Sequence, residues 1–549
     1  MQCARREYVF PLVLGAVVVI IGSLPYVYGY LSAGPDEVFM GFVGRGTPGA
    51  NGYFMLARQA AEGEVFMVNR MTPEPTPQAY FSLQWLLFGR LVRWTGLSMI
   101  AMFHIWRVAS MVLFTCAVYY LLAACLDSVF LRRLALALIV FGSGLGWTVW
   151  IARKAAGMDL PYPHDLLGVS VFGYLVNNPH FVRAGIFAAL TVAFLLRGEA
   201  TGKLRYFVYS GLAATGHGII RPYLVPEVYL LYALFPALLN VAEGRWQWRR
   251  FAPYAVAGLV FLPTAAYLAL TAYANVLGMA GWRRQSLFFL EQALWLGIPF
   301  VIVVGYFLLT GFTKLRGARP ATLLLGLWIG VVMLLIHTYP YFIAGQELCF
   351  WALTIAPPIL LLLGPGPALL EWTRRLAPRV VDRLTAPPWR AWAALVLVLA
   401  CGPSSGYVYA RDFKDLHGPV PPWRYYLDKD VHAALEWLDA HTRPNEVALA
   451  SHDTSQFIPR LSRNKVVTGH DMLTANYGEK NGLVHRFYAA RGEDEYKRWL
   501  ARRFNVRYVV FGPYEWVHNG AEPADHPWLV EVFRRGGVAV YHVEPDAKP

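Results

Sequence analysis

The chain has 549 residues, 56% of them apolar and 15% charged, with a formal net charge of +14. A soluble domain carries roughly 25% charged residues, so the composition excludes an ordinary soluble globular protein. Residues 411–549 hold 19 Lys/Arg against 19 Asp/Glu, while the other 30 Lys/Arg and 16 Asp/Glu punctuate apolar runs in residues 1–410; a phosphate-binding stripe needs cations clustered on a wettable face, so nucleic acid is not an expected partner.

In chain order, eleven apolar runs approach the ~20 residues that a spanning helix needs: 8–31, 98–126, 133–152, 182–197, 206–220, 223–241, 251–275, 287–311, 320–339, 348–365 and 391–410. The expected fold class is a mainly α membrane protein of about eleven transmembrane helices with a small α/β domain at its C-terminus. The first run follows Arg5 and Arg6, is too long for a signal-peptide core and lacks a small-residue cleavage site, so it reads as a retained anchor. Gly211, Gly216, Gly218 and Pro222 can kink the 206–223 stretch or make it re-entrant. Gly142, Gly144 and Gly146 in the third run read as close helix packing.

Cytoplasmic loops are enriched in Lys and Arg. Eighteen fall on one side, in segments around Arg5–Arg6, Arg132–Arg133, Arg197–Arg205, Arg245–Arg250, Lys314–Arg319 and Arg374–Arg390. Five lie in the short loops opposite: Arg153, Lys154, Arg221, Arg283 and Arg284. This asymmetry places the N-terminus in the cytoplasm of a cytoplasmic (inner) membrane and the C-terminal domain on the periplasmic or extracellular side.

Two domains are expected, a polytopic membrane domain (1–410) and an external soluble α/β domain (411–549). The membrane domain includes a first external loop, 32–97. Two amphipathic patterns there, 49–63 and 78–95, flank a Pro-rich stretch and are expected to lie along the membrane interface, with Trp85, Leu86, Leu87 and Phe88 dipping into lipid. The tail reads as helix 430–441, strands 446–451 and 465–469, helices 482–490 and 493–504, strand 506–512 and a hairpin through Gly536-Gly537 into 538–543. The five cysteines have no metal or disulfide spacing.

Ionisable side chains inside a bilayer are expensive and mark function or a wet cavity. Here they gather towards the outer ends of the runs: Arg107, Arg183, His217, Arg221, Glu227, Glu291 with Gln292, His337, and Gln346 with Glu347. The inner ends carry mostly Lys and Arg. Just outside the first run, Asp36 and Glu37 are adjacent carboxylates, and a carboxylate within reach of a hydroxyl acts as a general base. The arginines Arg107, Arg183 and Arg221 are suited to holding a phosphate by charge-assisted bonds. Carboxylate base plus arginine-held phosphate is equipment for transfer from a phosphate leaving group. His217 in Gly216-His217-Gly218 reads first as packing and second as a substrate contact, and Asn178 reads as a helix cap before Pro179.

The layout resembles the GT-C superfamily of integral-membrane glycosyltransferases. More closely, it resembles bacterial members with a Pro-Asp at the start of the first loop, here Pro35-Asp36, and a helix read here as Asn51-Gly52-Tyr53-Phe54-Met55-Leu56-Ala57. Further matches are Thr72-Pro73-Glu74-Pro75, Asn177-Asn178-Pro179-His180-Phe181 and Tyr508-Val509-Val510-Phe511-Gly512-Pro513. The resemblance implies a polyprenyl-phosphate-linked sugar donor, a glycan, lipid or protein acceptor, and Asp36 as catalytic carboxylate, with Glu37 orienting it or helping to hold a divalent metal; no other cofactor is implied. Arg107, Arg183, His217, Arg221, Glu74, Gln346 and Glu347 are the candidate substrate-binding residues. Such members carry an acid shortly before the helix tyrosine, where Asn51 stands here. An amide cannot accept a proton, so either Asp36 is the base or the chain is not a catalyst. Two rival readings remain, a non-catalytic envelope glycan assembly scaffold and a transporter or flippase of lipid-linked glycans, although no repeat symmetry of the transporter kind is evident.

Overall fold

The computed structural model describes residues 5–44, 47–76, 81–157, 170–220, 225–276, 289–310, 317–338, 350–418, 424–489, 493–517, 522 and 526–544. Helix α1 (Val9–Leu31) leads into strand β1 (Glu37–Phe39), followed by α2 (Thr47–Glu62), α3 (Leu83–Thr95) and the long apolar α4 (Met99–Cys125). Then come α5 (Val129–Phe141), α6 (Gly146–Ala155), α7 (Val171–Asn177), α8 (Pro179–Thr201), α9 (Leu204–Ile220) and α10 (Val225–Glu243). Helices α11 (Phe251–Val276), α12 (Phe289–Thr310), α13 (Pro320–Thr338), α14 (Phe350–Leu363) and α15 (Pro365–Leu376) follow, then α16 (Pro378–Thr385), α17 (Trp389–Cys401) and α18 (Pro403–Leu416).

Among the described residues, five stretches are long and apolar enough to cross a membrane: Arg6–Leu31, Met99–Cys125, Pro179–Thr201, Val225–Glu243 and Trp351–Leu376. A sixth arises if α16 and α17, bent by 90°, count as one span. Eleven were expected, and several expected runs are shorter or broken helices here. The 133–152 run is split into α5 and α6. Its glycines do serve close packing, but of backbone on backbone rather than within one straight helix. Gly142 leaves the helix with an extended ψ of 150°, and Ser143 N–H donates to the Cys401 carbonyl (2.8 Å). Opposite, Gly297 adopts φ 81° within α12, and a Cβ there would lie 2.3 Å from the Ser143 carbonyl oxygen, so only glycine fits.

The tail supplies β2 (Tyr426–Asp428), α19 (Lys429–His441), β3 (Val447–Leu449), the short helices α20 (His452–Ser455) and α21 (Ile458–Leu461), and β4 (Lys465–Val466). It ends with α22 (Tyr477–Ala489), α23 (Asp494–Arg503), β5 (Val506–Phe511), the short α24 (Pro513–Trp516), β6 (Leu529–Arg535) and β7 (Val538–Val543). Its sheet runs β4-β3-β5-β7-β6, parallel from β4 through β3 to β5 and antiparallel from β5 through β7 to β6. Strand side chains alternate between faces with period two. Val447, Leu449, Val509, Phe511, Ala539 and Tyr541 bury one face with α22 and α23. Ala448, Val510, Val538 and Val540 bury the other with α19.

Cα packing divides the chain into two compact units. The membrane unit comprises Met1–Ser23, Ile105–Leu268 and Arg283–Arg411; the loop–tail unit comprises Leu24–His104, Ala269–Trp282 and Asp412–Pro549. The first loop, expected within a 1–410 domain, is grouped by Cα packing with the tail. The physical reason is direct: β1 pairs antiparallel with β2, Glu37 opposite Asp428 and Phe39 opposite Tyr426, and Met40 enters the tail's core beside Leu427 and Val431. The amphipathic patterns of the loop form α2 and α3, which cross closely enough that a Cβ on Gly89 would lie 2.3 Å from the Ala57 carbonyl oxygen. Trp85 and Phe88, expected in lipid, are instead buried. Trp85 stacks on Tyr53 at 4.9 Å, and Phe88 meets Phe54 edge-on. Leu87 is the one of the four with a large exposed surface.

Candidate functional site

The turn that carries Asp36 is built by local hydrogen bonds and fixed from the tail. Glu37 N–H donates to the Gly34 carbonyl (3.2 Å), and Gly34 N–H donates to the Glu37 carboxylate (3.1 Å). Glu37 is thus half-buried and engaged in closing the turn. Asp36 is exposed; its carbonyl accepts from Lys429 N–H (3.0 Å), and the Lys429 ammonium donates to the carbonyl of Pro35. Downstream, Met40 N–H donates to the Tyr425 carbonyl (2.8 Å), and the Ser32 and Tyr426 hydroxyls lie 3.0 Å apart.

Asn51, where the resemblance leads one to expect an acid, is buried in α2. Its side-chain oxygen accepts from Arg460 Nη1 (3.0 Å), while Arg460 Nη2 donates to the Met40 carbonyl (2.7 Å). The guanidinium lies 4.8 Å from the Phe42 ring centre and 5.1 Å from that of Phe54. Burial lowers the pKa of Arg460 from its usual value, yet neutral oxygens and ring faces are partners that suit a delocalised guanidinium. Asn51 is therefore part of a packed polar contact within the loop–tail unit.

Glu74 also faces the tail. Its carboxylate pairs with the Lys480 ammonium and accepts from the Thr72 hydroxyl, and Lys465 donates to its main-chain carbonyl (2.8 Å). Burial pushes the carboxyl up, but the bonds from Lys480 and Thr72 outweigh it and hold the group below the usual carboxylate range. The Pro-rich stretch is in this way strapped onto the tail, as is α2 through Arg58 with Asp439 (2.6 Å) and with the Leu461 carbonyl (2.8 Å).

In the membrane unit, buried Arg107 donates to the Gly22 carbonyl and the Ser23 hydroxyl (2.9 Å each), tying α4 to α1. Arg183 lies over the Trp106 ring at 4.0 Å and reaches the Ser110 hydroxyl at 3.4 Å. His217 Nδ1 and the carbonyl of Ala184, the residue after Arg183, are 2.8 Å apart, linking α9 to α8. The structure therefore brings Arg183 and His217 onto one helix pair. Asn178 occupies the cap position with Pro179 first in the helix, but its side chain makes no cap bond. Buried Glu227 accepts from Trp328 Nε1 (2.6 Å). Arg221, Arg283, Arg284, Gln346 and Glu347 lie outside the described residues, as do the side chains of Glu291, Gln292 and His337.

Among the described residues, no group of three or more His, Cys, Asp or Glu is arranged to hold a metal ion, and the Glu37 carboxylate is engaged with the turn backbone. No metal-dependent step is therefore derived. Lys429 and Arg460 were not singled out in the sequence. The signal for Lys429 was its place directly after a capping aspartate; Arg460, between apolar neighbours in Phe457-Ile458-Pro459-Arg460-Leu461, was an isolated charge in a buried pattern.

No family model matches the chain, and no curated protein matches it. Solved structures do. An oligosaccharyltransferase from Archaeoglobus fulgidus, tethered to an acceptor peptide, aligns at a TM-score of 0.55 and 13% identity over 91% of this chain and 69% of its own. The same organism's oligosaccharyltransferase AglB, in complex with an inhibitory peptide and a dolichol-phosphate, aligns at 0.52 and 14% over 98% and 75%. The mycobacterial arabinofuranosyltransferase AftD aligns at 0.52 and 12% over 99% of this chain but 40% of its own length. The chain thus shares the fold of these solved glycosyltransferases.

Proposed function

We propose that the protein is a membrane glycosyltransferase that moves a sugar from a polyprenyl-phosphate-linked donor to a glycan, lipid or protein acceptor on the outer face of the cytoplasmic membrane. The observation that carries the reading is Asp36, an exposed carboxylate on a turn whose backbone is fixed by β-pairing and by Lys429; the likeness to solved glycosyltransferases, two of them bound to a peptide or a dolichol-phosphate, supports the substrate classes. In this reading Asp36 takes the proton of the acceptor's nucleophile as that atom bonds to the anomeric carbon. The bond from that carbon to the phosphate oxygen breaks, and polyprenyl phosphate leaves with the electron pair. Arg183, with Arg107, is assigned the phosphate charge. Glu37 keeps the turn in shape, and Glu74 orders the loop through Lys480. Arg221, Gln346 and Glu347 remain candidate ligands of the same substrates, and His217 a candidate contact beside Arg183. The N-terminus is assigned to the cytoplasm and the tail to the outside.

The test is mass spectrometry of envelope glycans and glycoproteins from cells with and without the protein. A lost or shortened glycan is expected; identical glycan profiles under every growth condition tried would count against the reading.

A further inference from the structure

A helix leaves its first N–H groups without partners inside the helix, and they must be satisfied elsewhere. In α19 the second and third residues, Asp430 and Val431, donate to the Asp428 side chain (2.8 and 3.0 Å). The first, Lys429, donates to the Asp36 carbonyl (3.0 Å). Its side chain returns to the same turn at the Pro35 carbonyl. One residue thus holds both peptide oxygens that flank the Asp36 α-carbon on its N-terminal and C-terminal sides, and β2 aligns the strand that follows. Tyr514 secures this anchor in turn, its hydroxyl accepting from Asp428 N–H (3.1 Å).

We infer that the tail's contribution to transfer is to hold the Pro35–Asp36 turn, with Lys429 as its positioning residue. The inference rests on Asp36 being the base. A carboxylate on an exposed turn has freedom to swing, and a base displaced by about 1 Å costs on the order of 10²-fold in rate. The N–H of Lys429 and its ammonium restrict that freedom without touching substrate.

The local geometry permits a clean test. Proline is tolerated as the first residue of a helix, where its missing N–H belongs to no helical bond, and it asks the preceding residue for an extended backbone. Asp428 already has φ −54° and ψ 136°. Lys429→Pro therefore keeps α19 and its aspartate cap while removing both bonds to the turn. Full-length protein in nanodiscs is assayed with radiolabelled polyprenyl-phosphate mannose, glucose and galactose and a crude envelope acceptor, alongside hydrogen exchange of the peptide spanning residues 33–40. For Lys429→Pro we expect kcat to fall about 10²-fold with donor KM little changed, faster exchange in that peptide and an unchanged melting temperature. Lys429→Ala, which keeps the N–H, should lose less, and Lys429→Arg should restore most of that loss. Wild-type kcat and wild-type exchange in Lys429→Pro would overturn the inference. Should Lys429→Pro melt early, the alanine–arginine pair decides: alanine at wild-type kcat overturns it, and an alanine loss restored by arginine supports it. Asp36→Asn in the same assay separates the two readings. An inactive Asp36→Asn beside a fully active Lys429→Pro removes the positioning role alone, whereas an active Asp36→Asn removes the base.

Discussion

The loop–tail unit and the apolar helices α4, α8 and α10 handle charge differently. In the loop–tail unit, cations meet carboxylates: Arg58 with Asp439 and Glu62, Lys480 with Glu74, Arg498 with Asp494. The membrane unit has such pairs too, Arg132 with Glu7 and Arg250 with Glu199 and Glu243, but within α4, α8 and α10 Arg107 donates to a carbonyl and a hydroxyl, Arg183 rests on an indole ring, and Glu227 accepts from an indole N–H. Neutral dipoles hold a buried charge in place without adding a second charge that must also be desolvated. Arg460 departs from the loop–tail pairs named above, a buried arginine held by Asn51, a carbonyl and two rings. Burial alone does not select the partner, since buried Lys480 and buried Arg132 pair with the carboxylates of Glu74 and Glu7.

The largest stability effect expected from this comparison is at Asn51. Asn51→Ala leaves a buried guanidinium N–H without its acceptor and should cost about 3 kcal/mol, measured by thermal or denaturant unfolding. Asn51→Asp should spare stability and leave transfer within a few-fold, because it keeps the acceptor. A smaller effect is expected in the membrane unit, where Trp328→Phe removes the donor to Glu227 at a cost of about 1–2 kcal/mol. If Trp328→Phe proves costlier than Asn51→Ala, the ranking of the two sites is wrong.

The smallest effect is at the half-buried Asp453, which burial pushes up to about 6 against the opposing charge of Arg424. A carboxyl raised in the folded state adds stability that is full below its unfolded pKa and is lost as pH rises through about 6. Asp453→Asn should therefore melt a few degrees above wild type at pH ~8 and match it near pH ~4. Equal melting temperatures at both pH values would show that solvent screening cancels the burial.

Much of the architecture was legible. The unbroken apolar runs of α4 and α8 need no partner to declare themselves, the amphipathic periods of α2 and α3 lie where the structure has helices, and the turn at Gly536-Gly537 joins β6 to β7. What was hidden depends on distant neighbours. Strand β1 is three residues long and exists because β2 lies beside it; nothing within Glu37-Val38-Phe39 announces a partner nearly four hundred residues on. The break between α5 and α6 depends on Gly297 and Cys401. At the candidate site, residue chemistry marked Asp36, Glu37, Arg107, Arg183 and His217 alike, but the hydrogen bonds that engage Glu37 with its turn and Asn51 with Arg460 could be read only in three dimensions.

The central claim is that Asp36 is the base of a sugar transfer. Initial rates of transfer from a radiolabelled polyprenyl-phosphate hexose, compared for wild type and Asp36→Asn in nanodiscs, test it most directly. A fall of about 10³-fold or more is expected for Asp36→Asn, with donor binding and melting temperature retained; an Asp36→Asn protein that transfers sugar at the wild-type rate would contradict the role of Asp36 as base.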